Sequence, residues 1–293
     1  MDKPDKTNNR IFIVGDGEST YRIACNMLNA GQETVLLTAD PTEASATIGQ
    51  LGSRHRHLLT LLADWPDAIP CALAIAITTE QAASKKRIIE QLACRLDDDA
   101  IIAVNTESIP LDVLQHAAVA RPERVLGLNW CYPADLTLFL EIVTNAASDA
   151  ASVERLTTLG RDVWGKDPYT VRGGFSVRAR MMAAWMREAI YLVENGYASI
   201  ESIDRACRND AGFYLPFAGN FRYMDLMGTY AYGMVMKDLN PDLAKGADAS
   251  CNLDDWLTSY ATSEADVRKA AFQRFSKEIR TLILKYAHAT LDC

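Results

Sequence analysis

The stretch Arg10-Ile11-Phe12-Ile13-Val14-Gly15-Asp16-Gly17-Glu18-Ser19-Thr20 decides the fold. A compact run, apolar from Ile11 to Val14, breaks on a glycine, the pattern of a short buried strand that ends at a turn. Thr20 to Ala30 then places Ile23, Ala24, Met27 and Leu28 on one helical face, and Gly31 is positioned to end that helix. Between strand and helix lies G-x-G-x-x-T, one residue away from the dinucleotide fingerprint. The first glycine, Gly15, permits the tight turn, and the second, Gly17, lets a pyrophosphate approach the backbone. The third normally allows close helix–strand packing, and Thr20 stands in its place. Asp16 and Glu18 put carboxylates where phosphate charge would lie and are expected to cap the same helix N–H groups, which weakens or abolishes nucleotide binding. A Rossmann-type turn that no longer holds a nucleotide is therefore the competing reading. The acidic reader of a ribose is expected near Thr38, and Asp40, two residues on, is the candidate.

Further strands are predicted at Thr34–Leu37, Cys71–Ile77, Ala100–Val104, Val125–Leu128 and Leu138–Val143, with a helix over Lys85–Leu96 and a poorly patterned polar segment at 39–58. Continuous apolar strands alternating with helices predict an α/β Rossmann-like domain whose parallel sheet is covered on both faces. After about residue 170 the pattern becomes helical. Met182, Trp185, Met186, Ala189 and Val193 recur at helical spacing, Ser199 reads as an N-cap, and Phe272, Phe275, Ile279, Leu282 and Ile283 form a last amphipathic helix. The expected organisation is a polar tail at 1–9, a Rossmann-like domain at 10–170 and an all-α domain at 171–293.

The chain has 293 residues, 49% of them hydrophobic, and a net charge of −8. Those values suit a globular protein of about two domains. The acidic balance gives no basic patch for nucleic acid or an anionic membrane. No apolar run approaches the roughly 18 residues needed to span a bilayer, and the polar start lacks a signal-peptide apolar region. The seven cysteines are scattered and form no C-x-x-C, which points to reduced thiols and a cytoplasmic location. No histidine lies at zinc-ligand spacing from a cysteine, and His55 and His57 read as a solvated loop, so no metal is expected.

Six segments in order carry a family resemblance: Ala76-Ile77-Thr78-Thr79-Glu80 with Lys85; Val104-Asn105-Thr106-Glu107-Ser108-Ile109; the run from Arg121 to Pro133; Phe139-Leu140-Glu141-Ile142-Val143; Arg187-Glu188-Ala189 with Glu194 to Ala198; and Gly219 to Gly228. Together with the glycine turn they resemble the 3-hydroxyacyl-CoA dehydrogenases, including 3-hydroxybutyryl-CoA dehydrogenase and lambda-crystallin, with a degenerate active site. The resemblance implies NAD as cofactor, an acyl-CoA-like substrate of fatty acid metabolism, and a homodimer formed through the helical domain. It places Gly15, Gly17, Asp40, Glu80, Lys85 and Asn105 at the cofactor, and Glu141, Asn129, Ser108 and Glu107 at the chemistry.

In such enzymes a histidine, oriented by a glutamate twelve residues later, takes the proton as hydride leaves for the nicotinamide. Glu141 fills the glutamate slot, but Asn129 fills the histidine slot. An amide has no useful basicity. Glu107 replaces a substrate-contacting serine, while Ser108 keeps the next one. The active-site asparagine slot falls on Arg178 or Ala179, depending on the direction of counting. Glu107 is a candidate replacement acid or base; His116, Cys131 and Tyr132 are weaker ones, better read as a surface histidine, a buried inert thiol and an unperturbed phenol. Arg172, Arg178 and Arg180 form either a site for an acyl-CoA phosphate or a solvated basic face. The resemblance implies an NAD-dependent oxidoreductase interconverting a 3-hydroxyacyl-CoA and its 3-keto form. The alternative is a catalytically inactive homologue that binds acyl-CoA or a protein partner.

Overall fold

The computed structural model describes residues 9–117, 120–227, 233–234, 237–239, 242–243 and 265–286. Residues 1–8 of the polar tail, Gly228, Cys251 and Cys293 lie outside the described residues. The chain divides into two compact units, 1–179 and 180–293.

In the first unit, β1 (Arg10–Val14), α1 (Gly17–Asn29) and β2 (Glu33–Leu37) are followed by α2 (Pro41–Gln50), β3 (Leu59–Leu62) and β4 (Leu73–Ala76). Then come α3 (Ala82–Ala93), β5 (Ile101–Val104), α4 (Leu111–Gln115), β6 (Val125–Trp130), β7 (Phe139–Val143), α5 (Ala150–Thr158) and β8 (Asp167–Val171). One eight-stranded sheet runs in the order β3-β2-β1-β4-β5-β6-β7-β8. Every pair is parallel except β6–β7, which is antiparallel and so departs from the all-parallel expectation. Residues 131–138, which join those two strands, are too few for a parallel crossover, which needs a dozen or more.

Alternation along the strands builds two cores. Ile11, Ile13, Leu36, Ile75 and Leu126 pack on one face with α1 and α2, while Phe12, Val14, Leu37, Ala74 and Ile102 pack on the other with α3 and α4. A sheet buried on both faces explains why its central strands read as unbroken apolar runs. Three elements depart from the sequence expectation. The polar segment 39–58 contains α2, started by Asp40 and Pro41; Leu59–Leu62 is an edge strand; and Asp167–Val171 forms the opposite edge.

Helix α6 (Val177–Glu194) leads into the second unit, which holds α7 (Ile200–Asn209), α8 (Ala211–Met227) and α9 (Ala265–Tyr286). Ser199 caps α7 by accepting from Ser202 N–H, as its position implied.

Candidate functional site

The strand order changes direction beside β1, which lies between β2 and β4. The turn after β1 is therefore at the switch point where open α/β sheets bind their ligands. Gly15 has φ +152°, and a Cβ there would lie 2.3 Å from Ile77 O, so only glycine fits. Gly17 has φ +79° and nothing within 4 Å of the place a Cβ would take. That open approach to the N-terminus of α1 suits a pyrophosphate. Thr20 is buried, and its hydroxyl donates to Asp16 O at 2.9 Å. It thereby takes up the space beside Gly15 that a third glycine would leave.

The flanking carboxylates behave differently from the expectation of helix caps. Asp16 makes no side-chain cap on α1. Its Oδ1 turns to the end of β2, accepting from Thr38 Oγ1 and from Ala39 N–H, each at 2.7 Å. Glu18 accepts from Arg22 Nε at 2.9 Å and from Tyr132 Oη at 2.9 Å. Arg22 is 1% exposed and also holds Asp135 through Nη1 at 2.7 Å. Both carboxylates are thus drawn off the helix N-terminus, one by hydrogen bonds and one by a buried guanidinium, and the residues present fit a dinucleotide. Asp40 is the N-cap of α2, its Oδ1 accepting from Thr42 and Glu43 N–H at 3.0 and 2.9 Å.

Glu80, Lys85 and Asn105 lock the loops after β4 and β5 together. Lys85 is fully buried, and its Nζ donates to Asn105 O at 2.6 Å, Asn105 Oδ1 at 3.0 Å and Thr78 Oγ1 at 3.2 Å, and pairs with Glu80 Oε2 at 3.0 Å. The other Glu80 oxygen accepts from Glu107, Ser108 and Ile109 N–H. Burial alone would raise the Glu80 carboxyl; those N–H groups and Lys85 outweigh it and hold the group at about 2. Burial lowers Lys85, with Glu80 opposing.

Asn129 and Glu141 face each other across the β6–β7 pairing. The Asn129 amide uses both its donors: Nδ2 donates to Thr106 O at 2.7 Å and to Glu141 Oε2 at 2.8 Å, while Oδ1 accepts from Thr106 N–H at 2.8 Å. Glu141 Oε1 accepts from Tyr169 Oη at 2.9 Å and from the Val177 and Arg178 N–H groups at 2.9 and 3.1 Å. Those last two are the first N–H groups of α6, and Ser176 Oγ accepts the next, from Ala179, at 2.9 Å. A buried carboxylate and a serine together satisfy the helix start. Burial alone would raise the Glu141 carboxyl, but Ser176, Asn129, Arg178 N–H and Tyr169 hold it below its ordinary range. Tyr169 is pushed up by burial and by Glu141.

Glu107 pairs with Arg178 Nη1 at 2.5 Å, and that guanidinium lies over the Phe139 ring. Glu107, at the expected serine position, is thus ion-paired with Arg178, one of the two residues on which the expected asparagine position can fall. Ser108 Oγ donates to Glu80 at 3.2 Å. His116 is an exposed C-cap of α4, Cys131 Sγ donates to Tyr132 O at 3.6 Å, and Arg172 is exposed. Tyr169, Ser176 and Arg22 are polar residues of this region that the sequence did not single out. Tyr169 stands opposite Glu141 in the β7–β8 register, a signal available only once β8 is recognised as a strand.

Residues 10–173 match the family model of the 3-hydroxyacyl-CoA dehydrogenase NAD-binding domain, and residues 174–273 match that of its C-terminal domain. A 3-hydroxybutyryl-CoA dehydrogenase of Mycobacterium tuberculosis is 32% identical over 239 residues, 75% of this chain and 82% of the relative. A 5-formyl-3-hydroxy-2-methylpyridine 4-carboxylate 5-dehydrogenase of Mesorhizobium japonicum is 29% identical over 191 residues, 64% of this chain and 61% of the relative. A crystal structure of a 5-formyl-3-hydroxy-2-methylpyridine 4-carboxylic acid 5-dehydrogenase superposes with a TM-score of 0.83 at 23% identity, covering 94% of this chain and 98% of that one; it shares the fold.

Proposed function

The chain belongs to the 3-hydroxyacyl-CoA dehydrogenase family, and we propose that it is an NAD-dependent oxidoreductase interconverting a 3-hydroxyacyl-CoA and its 3-keto form, with Asn129 in the place of the catalytic histidine. The observation that carries this reading is the open Gly15–Gly17 turn at the switch point of the sheet, from which both neighbouring carboxylates are turned away. Gly15 and Gly17 would receive the pyrophosphate, and Glu80, Lys85 and Asn105 fix the wall formed by the loops after β4 and β5. Bound NAD supplies the hydride acceptor, or as NADH the donor. Asn129 and Glu141 set the position of the reacting group's neighbours but hold no transferable proton: the amide is not basic, and the carboxylate is buried and saturated. Ser108 and Glu107 bring a hydroxyl and a carboxylate to the loop after β5, and Glu107, its side chain 46% exposed, is the acid–base group we assign.

Two further assignments accompany this reading. The Met181, Met182, Trp185 and Met186 side chains of α6 are exposed, which supports a homodimer formed through the helical domain. No helix among the described residues is long and apolar enough to cross a membrane. The described cysteines are free, and we place the protein in the cytoplasm.

Titration with NADH followed by acetoacetyl-CoA tests the function. A saturable change in NADH fluorescence and loss of NADH absorbance on adding the thioester are expected. Absence of binding at millimolar NADH would favour a non-catalytic homologue that binds acyl-CoA or a protein partner.

A further inference from the structure

We propose that Arg178 is a further catalytic residue: its guanidinium donates to the 3-oxygen of the substrate and stabilises the negative charge that develops there, beside the acid–base group Glu107. The inference rests on the oxidoreductase reading given above. Hydride transfer between a hydroxyl-bearing carbon and a carbonyl carbon calls for a donor aimed at the oxygen, and preorganised donors of that kind contribute heavily to such steps. The polar groups around Asn129 leave little choice. Both Asn129 Nδ2 donors are spent on Thr106 O and Glu141 Oε2. The Ser108 hydroxyl donates to Glu80, the Tyr169 hydroxyl to Glu141 and the Thr106 hydroxyl to Ile109 O. Lys85 is buried beneath Glu80 and Asn105 with its donors engaged.

Arg178 is the exception. A guanidinium carries five N–H donors and stays charged. Among the described residues this one meets a single hydrogen-bond acceptor, Glu107 Oε1 at 2.5 Å from Nη1, and its side chain is 30% exposed. The group is held in place before any substrate arrives. Its backbone N–H is bound by Glu141 Oε1 at 3.1 Å, at the start of α6. The guanidinium carbon lies 5.8 Å from the centroid of the Phe139 ring, and Tyr169 braces that ring edge-on at 5.7 Å. Phe139 and Glu141 alternate on β7 and so share the face that carries Asn129. On the other side, Glu107 follows Thr106, whose N–H is bound to Asn129. The guanidinium is therefore tied from both sides to the row of residues where the reaction is placed. In the oxidation direction the 3-hydroxyl proton passes to the Glu107 carboxylate, the C3–H electron pair leaves as hydride for NAD, and the C3=O bond forms. Arg178 holds the oxygen throughout. Parallel N–H groups on one edge of a guanidinium also suit two acceptor oxygens side by side, as the 1- and 3-oxygens of a 3-oxoacyl thioester can be.

Two measurements on the full chain test the assignment. The first needs no turnover. Acetoacetyl-CoA is added in the presence of NAD and its enolate is followed by near-ultraviolet absorbance, because a donor aimed at a carbonyl oxygen also stabilises an enolate. Wild type and Glu107→Gln are expected to raise the enolate band, and Arg178→Ala is expected not to. The second is the rate of acetoacetyl-CoA reduction by NADH. Loss of one oxyanion donor costs about 10²–10³-fold, so Arg178→Ala should lower kcat by about a hundredfold or more while NADH affinity, read by calorimetry, stays the same. Added guanidinium chloride, well below unfolding concentrations, should restore part of that loss. Exposed ion pairs add little to stability, so the melting temperature of Arg178→Ala should stay close to that of wild type. An enolate band in Arg178→Ala equal to that of wild type, loss of the band in Glu107→Gln, or an undiminished kcat in Arg178→Ala would each overturn the proposal and leave the reading of the reaction intact. A wild type that binds NADH, raises no band and turns over no acetoacetyl-CoA would overturn the oxidoreductase reading, and this assignment with it.

Discussion

Glu141→Gln isolates what the buried carboxylate does. The substitution keeps shape and removes charge. In the native site one oxygen serves Asn129 and the other serves Tyr169 and two N–H groups of α6. A glutamine amide offers an acceptor on one side only. If its oxygen faces α6, its NH2 opposes the Asn129 Nδ2 donor; if it is flipped, the NH2 opposes the helix N–H groups. Hydrogen bonds to a charged partner contribute about 1.5–3 kcal/mol against about 0.5–1.5 for neutral ones. Three weakened bonds thus lose about 3 kcal/mol, and one opposed donor pair costs a further 1–3. Relief of the burial penalty on the charge offsets part of this, leaving a net loss of about 2–4 kcal/mol at pH 7. The pH dependence has a definite sign. A carboxyl held lower in the folded chain than in the unfolded one contributes stability above its unfolded value, near pH 4.3, and loses it as the pH falls through the folded value. Urea unfolding followed by tryptophan fluorescence should therefore show the full gap between wild type and Glu141→Gln at pH 7, shrinking below about pH 4. Equal stabilities at pH 7, or a gap that widens in acid, would refute an ionised Glu141.

Other substitutions separate structural from binding roles. Gly15→Ala should destabilise the first unit strongly, because its Cβ meets Ile77 O at 2.3 Å, whereas Gly17→Ala meets no atom and should cost only about 1–2 kcal/mol in backbone strain while weakening NADH binding; thermal melts and calorimetry distinguish the two. Lys85→Met removes the cation beneath Glu80 and should lower the melting temperature and move the Glu80 carboxyl up from about 2, as read by an NMR titration. Glu107→Ala breaks an ion pair whose side chains are 46% and 30% exposed, so stability should change by less than about 1 kcal/mol while turnover falls.

Most of the sheet was legible because its inner strands are buried on both faces and carry unbroken apolar runs, as in Leu73–Ala76 and Ile101–Val104. The edges were not. Leu59–Leu62 is four residues long and only partly buried, and Asp167–Val171 carries a proline and is largely exposed, a composition that an edge strand tolerates and a central one does not. Asp40-Pro41 starts α2, but the segment read as unpatterned because the helix behind it has few apolar positions to repeat. At the site, the glycine turn could be read locally. The pairing of Asn129 with Glu141 was reached only through the family resemblance, since an antiparallel register leaves no local spacing to detect. Arg22 shows the limit most clearly: its i,i+4 spacing from Glu18 is local, but its second partner, Asp135, is 113 residues away, and nothing in the sequence announces that the guanidinium is buried between them.

The most direct test of the account is the rate of NADH oxidation by acetoacetyl-CoA in wild type and in Asn129→His, measured at saturating NADH. In the proposed function Asn129 stands where the base would be, and Glu141 accepts from its Nδ2 at 2.8 Å, the place from which a carboxylate would orient an imidazole. A positioned general base is worth roughly 10²–10⁴-fold. The account predicts slow turnover in wild type and a gain toward that range in Asn129→His. A wild-type rate typical of dehydrogenases that falls in Asn129→His would contradict it, because Glu107, ion-paired with Arg178, would then carry the proton at full efficiency with no base at position 129.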